Sequence, residues 1–287
     1  MNNTIVVGCD IGGSHISTAL VNLESKKMFE DTFERQIINS HDTVPVIIQS
    51  WVNCIQSSLN KGNVDKVKIG IAIPGPFDYE EGISLMKGQN KYEALYGIDV
   101  RSLLANQLAI EPTAIKFIND AASFLQGEMF AGAGATFKKA VGLTLGTGLG
   151  SALFLNGKAE DGDLWCAPFK SGIAEDYLSG RWLKDTYSDR SGKQVESVKA
   201  LCELVPTDEI ASDTLKEFGE TLGEFIMEHL IHHKPEGLII GGNIAKAHPF
   251  FLAHTHRILA EQGYALPIEI AVLGEMAAIY GAADALK

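Results

Sequence analysis

The chain has 287 residues, of which 46% are hydrophobic, and it carries a formal net charge of -12. This length suits one large or two medium domains, and the hydrophobic content excludes extensive disorder. The acidic charge disfavours a nucleic-acid backbone or an anionic membrane as the main partner. Four scattered cysteines without zinc-ligand or redox spacing, and an N-terminus without signal-peptide features, favour a reduced, cytoplasmic location.

The first predicted element is a strand-turn-strand hairpin, VGCDIGGSHISTALV, at residues 7–21. Asp10 precedes the Gly12-Gly13 turn, and the hydroxyl of Ser14 follows it. Glycine permits positive φ and lets the backbone approach an anion, and successive N–H groups form an anion-binding nest. Since the Asp10 carboxylate repels phosphate, we expect it to hold Mg²⁺ through water. A plain surface hairpin is the alternative.

The hairpin pattern recurs at residues 141–156, in the middle of the chain. Its tip again offers backbone N–H groups and a hydroxyl, from Gly146, Thr147 and Gly148. Thr144 stands where the first hairpin has Asp10, so only one half offers a carboxylate for a metal. Two such hairpins predict a duplicated fold with a cleft between the halves, in which the tips clamp a polyphosphate from two sides.

The first half otherwise alternates between predicted strands, at residues 28–36, 67–73 and 114–118, and predicted helices, at residues 43–59 and 100–108. Gly75 and Pro76 follow the second of these strands, at the edge where open α/β sheets bind ligands, although a plain turn is equally consistent. Residues 77–97 have no clean period and form a predicted excursion over the cleft. Asn90 and three tyrosines there could bind a polyol, but solvated loop residues are favoured for any single one: Tyr79, Tyr92 and Tyr96.

Asn119 and Asp120 stand between the strand at residues 114–118 and a strong helix pattern. Asp120 could be the helix N-cap. A carboxylate at the C-terminal end of a strand is also placed to accept a proton from an attacking hydroxyl, as phosphoryl transfer requires. The two interpretations are compatible, and position alone does not separate them.

The second half contains a third glycine turn, Gly241-Gly242-Asn243, after the buried strand at residues 237–240. We expect it to contact the adenosine side of a nucleotide, with an ordinary strand-to-helix turn as the alternative. The predicted helices of this half lie at residues 173–187, with a break at Ser179-Gly180, and at 198–204, 208–233, 250–262 and 276–286; a strand lies at 268–272.

Five motifs occur in the order seen in ROK-family sugar kinases of the glucokinase-like type, which the chain resembles over nearly its whole length. They are DIGGS (10–14), IAIPGPFD (71–78), IND (118–120), LGTGLG (145–150) and IIGGN (239–243). The resemblance implies an α/β protein of the actin-like ATPase superfamily, with two ribonuclease H-like domains and an interdomain cleft. We place a small domain at residues 1–118, with the closing helix 274–287 packed back on it, and a larger one at 119–273.

The resemblance also implies ATP-dependent, Mg²⁺-dependent phosphorylation of a hexose or N-acyl hexosamine at the 6-hydroxyl. By similarity, Asp120 is the catalytic base and Asn119 a sugar ligand. The implied nucleotide cradle is glycine-rich: Gly12, Gly13, Ser14, Gly146, Thr147, Gly148, Gly241, Gly242 and Asn243. The expected partners are a small-molecule sugar and ATP, without nucleic acid or membrane, and a homodimer is left open.

The chain departs from the family pattern at residues 162–180, GDLWCAPFKSGIAEDYLSG. Typical members have a Glu-x-x-His sugar motif and a cysteine-rich zinc motif here. By position Asp163 replaces the sugar-binding Glu, with Glu175 or Asp176 as the alternative, and the zinc cysteines are absent. We therefore expect no structural zinc and a loop held by packing of its apolar residues, Trp165, Pro168 and Phe169.

The second hypothesis is a catalytically weak regulatory protein of the same family that binds sugar or nucleotide. Family repressors carry a DNA-binding domain ahead of the hairpin, whereas this hairpin begins almost at Met1 and the net charge is acidic. Retention of Asp10, Asp120 and three glycine turns argues against a sensor, since a sensor does not need a base.

Overall fold

The computed structural model describes residues 4–64 and 68–287. The elements of the first half of the chain are β1 (Ile5–Ile11), β2 (His15–Asn22), β3 (Lys27–Met28), β4 (Glu34–Ile37), α1 (Val44–Gly62), β5 (Ile69–Ile73), β6 (Phe77–Asp78), β7 (Ile83–Ser84), α2 (Val100–Leu108), β8 (Ile115–Asn119) and α3 (Asp120–Ala131).

The second half continues with β9 (Ala140–Leu145), β10 (Leu149–Leu155), β11 (Lys158–Asp161), β12 (Pro168–Phe169), β13 (Gly172–Ile173), α4 (Ala174–Tyr177), α5 (Gly180–Ser191), α6 (Val198–Leu204), α7 (Glu209–Phe225), β14 (Gly237–Gly241), α8 (His248–Glu261), β15 (Ile268–Ile270) and α9 (Ala277–Asp284). No helix in the described parts of the chain is both long and apolar enough to cross a bilayer.

The two main sheets have the same strand order. The first runs β3-β2-β1-β5-β8, with β4 also paired to β2, and the second runs β11-β10-β9-β14-β15. In each sheet a hairpin is antiparallel, β1 with β2 and β9 with β10. In each, two parallel strands follow the first strand of the hairpin, β5 and β8 or β14 and β15. The predicted α/β class and duplicated fold are confirmed.

Continuous apolar runs form the central parallel strands, β5 and β14, of the two sheets. Every residue of β5 (IGIAI) and of β14 (GLIIG) is buried. Such runs are typical of parallel strands that are covered on both faces. Helix α1 buries Ile48, Trp51 and Ile55 at helical spacing. Its first turn contains a proline, and a left-handed residue, Asn63 (φ 50°), ends it.

Two predicted elements, at residues 28–36 and 208–233, are divided in the structure. Residues 28–36 are not one strand, because a 3-10 turn at Glu30–Thr32 separates β3 from β4. The buried Thr32 hydroxyl accepts a hydrogen bond from the Leu20 amide at 3.0 Å and fixes that turn. The predicted helix at 208–233 is α only to Phe225, beyond which π and 3-10 turns follow. Val67, predicted to begin β5, lies outside the described residues.

The chain forms two compact units. One contains Met1–Ala135, Lys158–Glu160 and Glu275–Lys287, and the other contains Thr136–Gly157 and Asp161–Gly274. The closing helix α9 therefore belongs with the first unit. Helix α3 also belongs with the first unit. The domain boundary predicted after residue 118 would instead place α3 in the second domain. Side chains of α3 bond to α9, since Ser123 Oγ donates to the Ala278 carbonyl at 2.8 Å and Gln126 Nε2 donates to the Asp284 carboxylate at 2.6 Å.

Close contacts between backbones hold α9 in the first unit. A Cβ built on Gly70 of β5 would lie 1.8 Å from the carbonyl oxygen of Ala282. A Cβ built on Gly127 of α3 would lie 2.0 Å from that of Ala277. Neither carbonyl can rotate away as a flexible side chain would. Glycine at these positions lets α9 lie directly against a strand and a helix.

We predict that Gly70→Ala destabilises the protein by about 1–3 kcal/mol, because the added methyl group displaces α9. Gly146→Ala is the matched control, since its Cβ would meet nothing within 4 Å and its φ is not left-handed. The control should change the unfolding free energy by no more than about 0.5 kcal/mol. Urea unfolding measures both, and wild-type stability in Gly70→Ala would contradict the packing described here.

Candidate functional site

Asp10 and Asp120 lie at the same edge of the first sheet. Asp10 pairs with Ala72 of the parallel strand β5, and Ile73 pairs with Asn119 of β8, directly before Asp120. The pKa of the partly buried Asp10 carboxyl is raised from 3.8 to about 7. Desolvation is the main cause, and the negative charges of Asp120 and Glu275 add to it while Arg35 opposes it. Asp10 thus lacks a sufficient compensating positive charge.

A divalent cation fits this group of carboxylates. Arg35, the nearby cation, is engaged in an ion pair with Glu275 and only partly offsets the charge. Among the described residues, no group of three or more His, Cys, Asp or Glu side chains is arranged to hold a metal by itself. Mg²⁺ commonly uses one or two carboxylates, with waters and substrate phosphates as its other ligands. Asp10 suits that mode.

The N-cap of α3 is Asn119, not Asp120. The Asn119 side-chain oxygen accepts from the Ala122 amide at 3.0 Å, and its Nδ2 donates to the Tyr79 hydroxyl at 3.3 Å. The interpretation of Asp120 as the cap is therefore wrong. The Asp120 carboxylate accepts from the Ala121 amide at 2.9 Å and its side chain is exposed, so a substrate can reach it.

The structure brings together only some of the first-unit residues that are predicted to bind the sugar. The cis Gly75–Pro76 peptide lies beside Tyr79, whose hydroxyl also meets Asn119, and a Cβ on Gly75 would be 3.2 Å from that hydroxyl. Asn90 is exposed, and its backbone N–H donates to the Glu93 carboxylate at 3.3 Å. Gly75, Asn119 and Tyr79 thus form one group, while no described hydrogen bond ties Asn90 to it.

Tyr92 supports the first hairpin and is not available to a polyol. Its side chain is fully buried, and its hydroxyl donates to the Gly12 carbonyl at 2.5 Å. Its ring meets Trp51 edge-on, with centroids 5.4 Å apart. Burial raises the pKa of the Tyr92 phenol well above its usual value. Sequence reasoning missed this role because residues 77–97 carry no periodic signal that links them to the hairpin.

The hairpin tips do not use positive φ. None of Gly12, Gly13, Gly146 and Gly148 has a left-handed φ, so that part of the glycine argument is wrong. Gly242 does require glycine, with φ 84° and a Cβ that would lie 2.3 Å from the Leu145 carbonyl oxygen. At Gly146 the absence of a side chain leaves open space, since a Cβ there would meet nothing within 4 Å.

The second unit contains a cavity of about 690 Å³ beside the second and third glycine turns. Three predicted nucleotide residues line it, Gly146, Thr147 and Asn243, whereas Gly148, Gly241 and Gly242 do not. The cavity also has cationic residues that the sequence did not indicate: Arg181, Lys184, Lys199 and Lys246. The lining also has an apolar part, Val198, Cys202, Ile244 and Ala247, and its remaining members are Gly180, Ser197 and the acidic Glu196. Such a mixture suits a nucleotide, which has a flat apolar base and a polyanionic tail.

The start of α5 links this cavity to the second hairpin. The Gly180 amide donates to the Gly146 carbonyl at 2.8 Å, which brings Arg181 and Lys184 to the cavity wall. Lys246 Nζ donates to the Asn243 side-chain oxygen at 3.2 Å. The predicted break at Ser179-Gly180 is confirmed, and the Ser179 side chain caps α5 through the Trp182 amide. Of the four cations, Arg181 and Lys184 lie in the first turns of the helix that starts at this break.

Glu175 braces the second hairpin. Its carboxylate accepts from the Leu149 amide at 3.0 Å, and a Cβ on Gly148 would lie 2.3 Å from the same oxygen. Asp163 is exposed, and its carboxylate accepts from the Trp165 indole N–H at 2.8 Å. Of the two acidic candidates in the divergent loop, Glu175 is thus engaged with backbone and Asp163 with a neighbouring side chain.

The divergent loop is anchored by one aromatic residue. Phe169 is buried and meets Tyr177 and Phe225 edge-on, at centroid distances of 5.7 and 5.5 Å. Trp165 is 46% exposed and Pro168 is exposed, so the expectation that they anchor the loop is wrong. Residues 157–179 contain one cysteine, Cys166, and no histidine, so this segment cannot supply the four Cys or His ligands of a typical structural zinc site.

Known proteins resemble this chain in sequence and in structure. The N-acetyl-D-glucosamine kinase of Haemophilus influenzae is 23% identical over 320 residues, covering 96% of this chain and 97% of that protein. The ROK hexokinase of Thermus thermophilus is 20% identical with a TM-score of 0.79, covering 97% and 96% of the two chains.

A ROK-family glucokinase from Streptomyces griseus, solved with glucose and AMPPNP, is 20% identical with a TM-score of 0.75 and 98% coverage of both chains. At these identities the solved structures establish a shared fold. The sequence profile of the ROK family matches residues 6–168 and 163–287. The chain therefore belongs to the ROK family.

Proposed function

We propose that this protein is a sugar kinase that transfers the γ-phosphoryl group of ATP to the 6-hydroxyl of a hexose or N-acyl hexosamine. The observation that carries the proposal is the pair of carboxylates at one sheet edge, Asp10 and Asp120, in a chain whose other unit contains a cationic cavity. The similarity to an N-acetyl-D-glucosamine kinase supports the inclusion of N-acyl hexosamines among the substrates.

In the proposed reaction, Asp120 acts as the general base. Its exposed carboxylate accepts the proton of the sugar hydroxyl as that oxygen attacks the γ-phosphorus. The bond between the γ-phosphorus and its bridging oxygen breaks, and ADP leaves with that oxygen. Asn119, held by Tyr79 and by its cap bond, fixes the start of α3 and hence the position of Asp120. Bound Mg²⁺, held by Asp10 through water, would supply positive charge to the phosphate oxygens.

ATP is proposed to bind the second-unit cavity. The space at Gly146 and the hydroxyl of Thr147 suit close approach of phosphate, and the nearby ammonium of Lys246 suits its charge. Val198 and Ile244 offer apolar surface for the base. We assign the sugar to Asn119, Gly75, Pro76 and Asn90, with Asp163 as a further hydroxyl acceptor. We assign Glu175 to support of the hairpin tip, because its carboxylate accepts a hydrogen bond from the Leu149 amide of that hairpin.

A second candidate function is a catalytically weak regulatory protein that binds sugar and nucleotide. The divergent loop favours it, because the Asp163 carboxylate accepts from Trp165 within the loop. An assay of ADP release with a panel of hexoses and N-acyl hexosamines separates the two functions. Sugar-dependent ADP release, with one sugar phosphate formed per ADP, supports the kinase. Sugar binding by calorimetry without ADP release from any sugar supports the regulator.

We predict that Asp120→Asn lowers kcat by ~10²–10⁴-fold, the usual contribution of a positioned general base. Fold and sugar affinity should persist, because the α3 cap is Asn119. Glu111→Gln is the matched control, since Glu111 is exposed and lies before β8, at the opposite end of that strand. Steady-state kinetics with circular dichroism checks both variants, and near-normal turnover in Asp120→Asn would remove Asp120 from the mechanism.

We predict that Gly146→Val weakens ATP binding at least about tenfold, which corresponds to about 1.4 kcal/mol or more. The valine side chain would occupy open space at the cavity wall, so the variant should fold while phosphate is held off the backbone. Gly146→Ala should have a smaller effect, and sugar binding should be unchanged in both. Calorimetry with ATP gives the affinities, and wild-type ATP affinity in Gly146→Val would locate the nucleotide elsewhere.

A further inference from the structure

Two consecutive residues of the 77–97 segment meet the two consecutive glycines of the first hairpin. Tyr92 donates its hydroxyl to the Gly12 carbonyl at 2.5 Å. Beside it, the Lys91 side chain runs along Gly13, so that a Cβ on Gly13 would lie 3.9 Å from Lys91 Cδ. Because Tyr92 is fully buried, it fixes the backbone from which Lys91 extends. The lysine stem is thereby held at the tip of the hairpin.

The Lys91 ammonium is not committed to a carboxylate. None of the ion pairs between residues in the described ranges involves it, whereas Lys61 pairs with Glu34 at 2.8 Å and Lys170 with Glu224 at 2.9 Å. Its half-buried side chain limits how far the ammonium can move. A lysine whose stem is packed, and whose ammonium has no ion-pair partner within residues 4–64 and 68–287, is suited to an anionic ligand.

The charges near Asp10 indicate which ligand that is. Asp10, Asp120 and Glu275 already add negative charge, and Arg35 is paired with Glu275. A phosphoryl group brought to these carboxylates adds still more negative charge, which spreads over its oxygens in the transition state. A cation held near those oxygens would lower the barrier more than it stabilises the bound substrate.

We infer that Lys91 is a catalytic residue whose ammonium donates hydrogen bonds to the oxygens of the phosphoryl group in transfer, and that Tyr92 is its positioning residue. This inference rests on the proposed kinase function. It assigns to the 77–97 segment a direct part in phosphoryl transfer beside the proposed sugar contact of Asn90. Lys91 contributes charge only, and the hydroxyl proton still passes to Asp120.

Three variants test the inference by steady-state kinetics. Lys91→Met keeps the stem and removes the charge, and it should lower kcat by ~10²-fold or more. The KM for sugar should stay within about threefold, and Lys91→Arg should recover at least about tenfold of the lost kcat, because both depend on charge rather than packing. Lys87→Met is the matched control in the same segment, since Lys87 lies over the Tyr96 ring, 5.0 Å from its centroid, and should leave kcat near that of wild type.

A binding measurement that needs no turnover separates this inference from the proposed function. Calorimetry compares a hexose with its 6-phosphate, and Lys91→Met should weaken binding of the phosphate ester at least about fivefold while the parent sugar binds as in wild type. Equal loss for both ligands, a raised sugar KM with unchanged kcat, or full activity in Lys91→Met would overturn the inference. Absence of ADP release from wild type, with the phosphate ester still dependent on Lys91, would reject the kinase reaction but not the phosphoryl contact.

Discussion

The candidate site of the first unit is constrained by the desolvation of the Asp10 carboxyl, to which repulsion from Asp120 at the same sheet edge adds. Burial and the neighbouring negative charges raise the pKa of Asp10 to about 7. A carboxyl whose pKa is higher in the folded than in the unfolded chain favours folding below its unfolded pKa, and that contribution is lost as the pH rises through about 7. The ionised site therefore destabilises the fold, and the glycine-mediated packing of α9 is among the contacts that offset this cost. A bound cation relieves the same repulsion, which links the stability of the site to metal binding.

The two units share one strand order, but the side chains around their hairpins carry opposite charge. The first hairpin has Asp10, where the second has Thr144, and the carboxylates gather around the first. Around the second hairpin the cavity has Arg181, Lys184 and Lys246 in its wall. This difference explains a division of labour in the proposed function, in which one unit activates the acceptor hydroxyl and the other holds the donor. In the first unit, Arg35 lies near Asp10 but is paired with Glu275. Lys91 lies beside Gly13, and its proposed role is to contact the phosphoryl group.

The sequence predicts the fold better than it predicts the site. Glycine turns after short apolar strands identify both hairpins, and the buried runs of β5 and β14 identify the parallel centres, because these signals are local. The roles of Tyr92 and Glu175 depend on contacts between segments far apart in the chain, and no periodicity reports such contacts. The sequence offered Asp120 as a possible cap of α3, whereas the side-chain geometry assigns the cap to Asn119. Left-handed φ at the hairpin tips was expected from glycine content, yet these glycines provide open space or close packing instead.

The most direct test of this account is the pKa of the Asp10 carboxyl, measured by carbon NMR in metal-free protein and assigned with Asp10→Asn. We predict that the Asp10 carboxyl titrates with a midpoint, its pKa, of about 7. Asp120→Asn should lower that midpoint, because it removes a neighbouring negative charge, but the pKa should stay above the usual 3.8 since burial is the larger cause. A midpoint near 3.8 in the wild type, or one that does not respond to Asp120→Asn, would contradict the claim that these two carboxylates form one coupled, desolvated site.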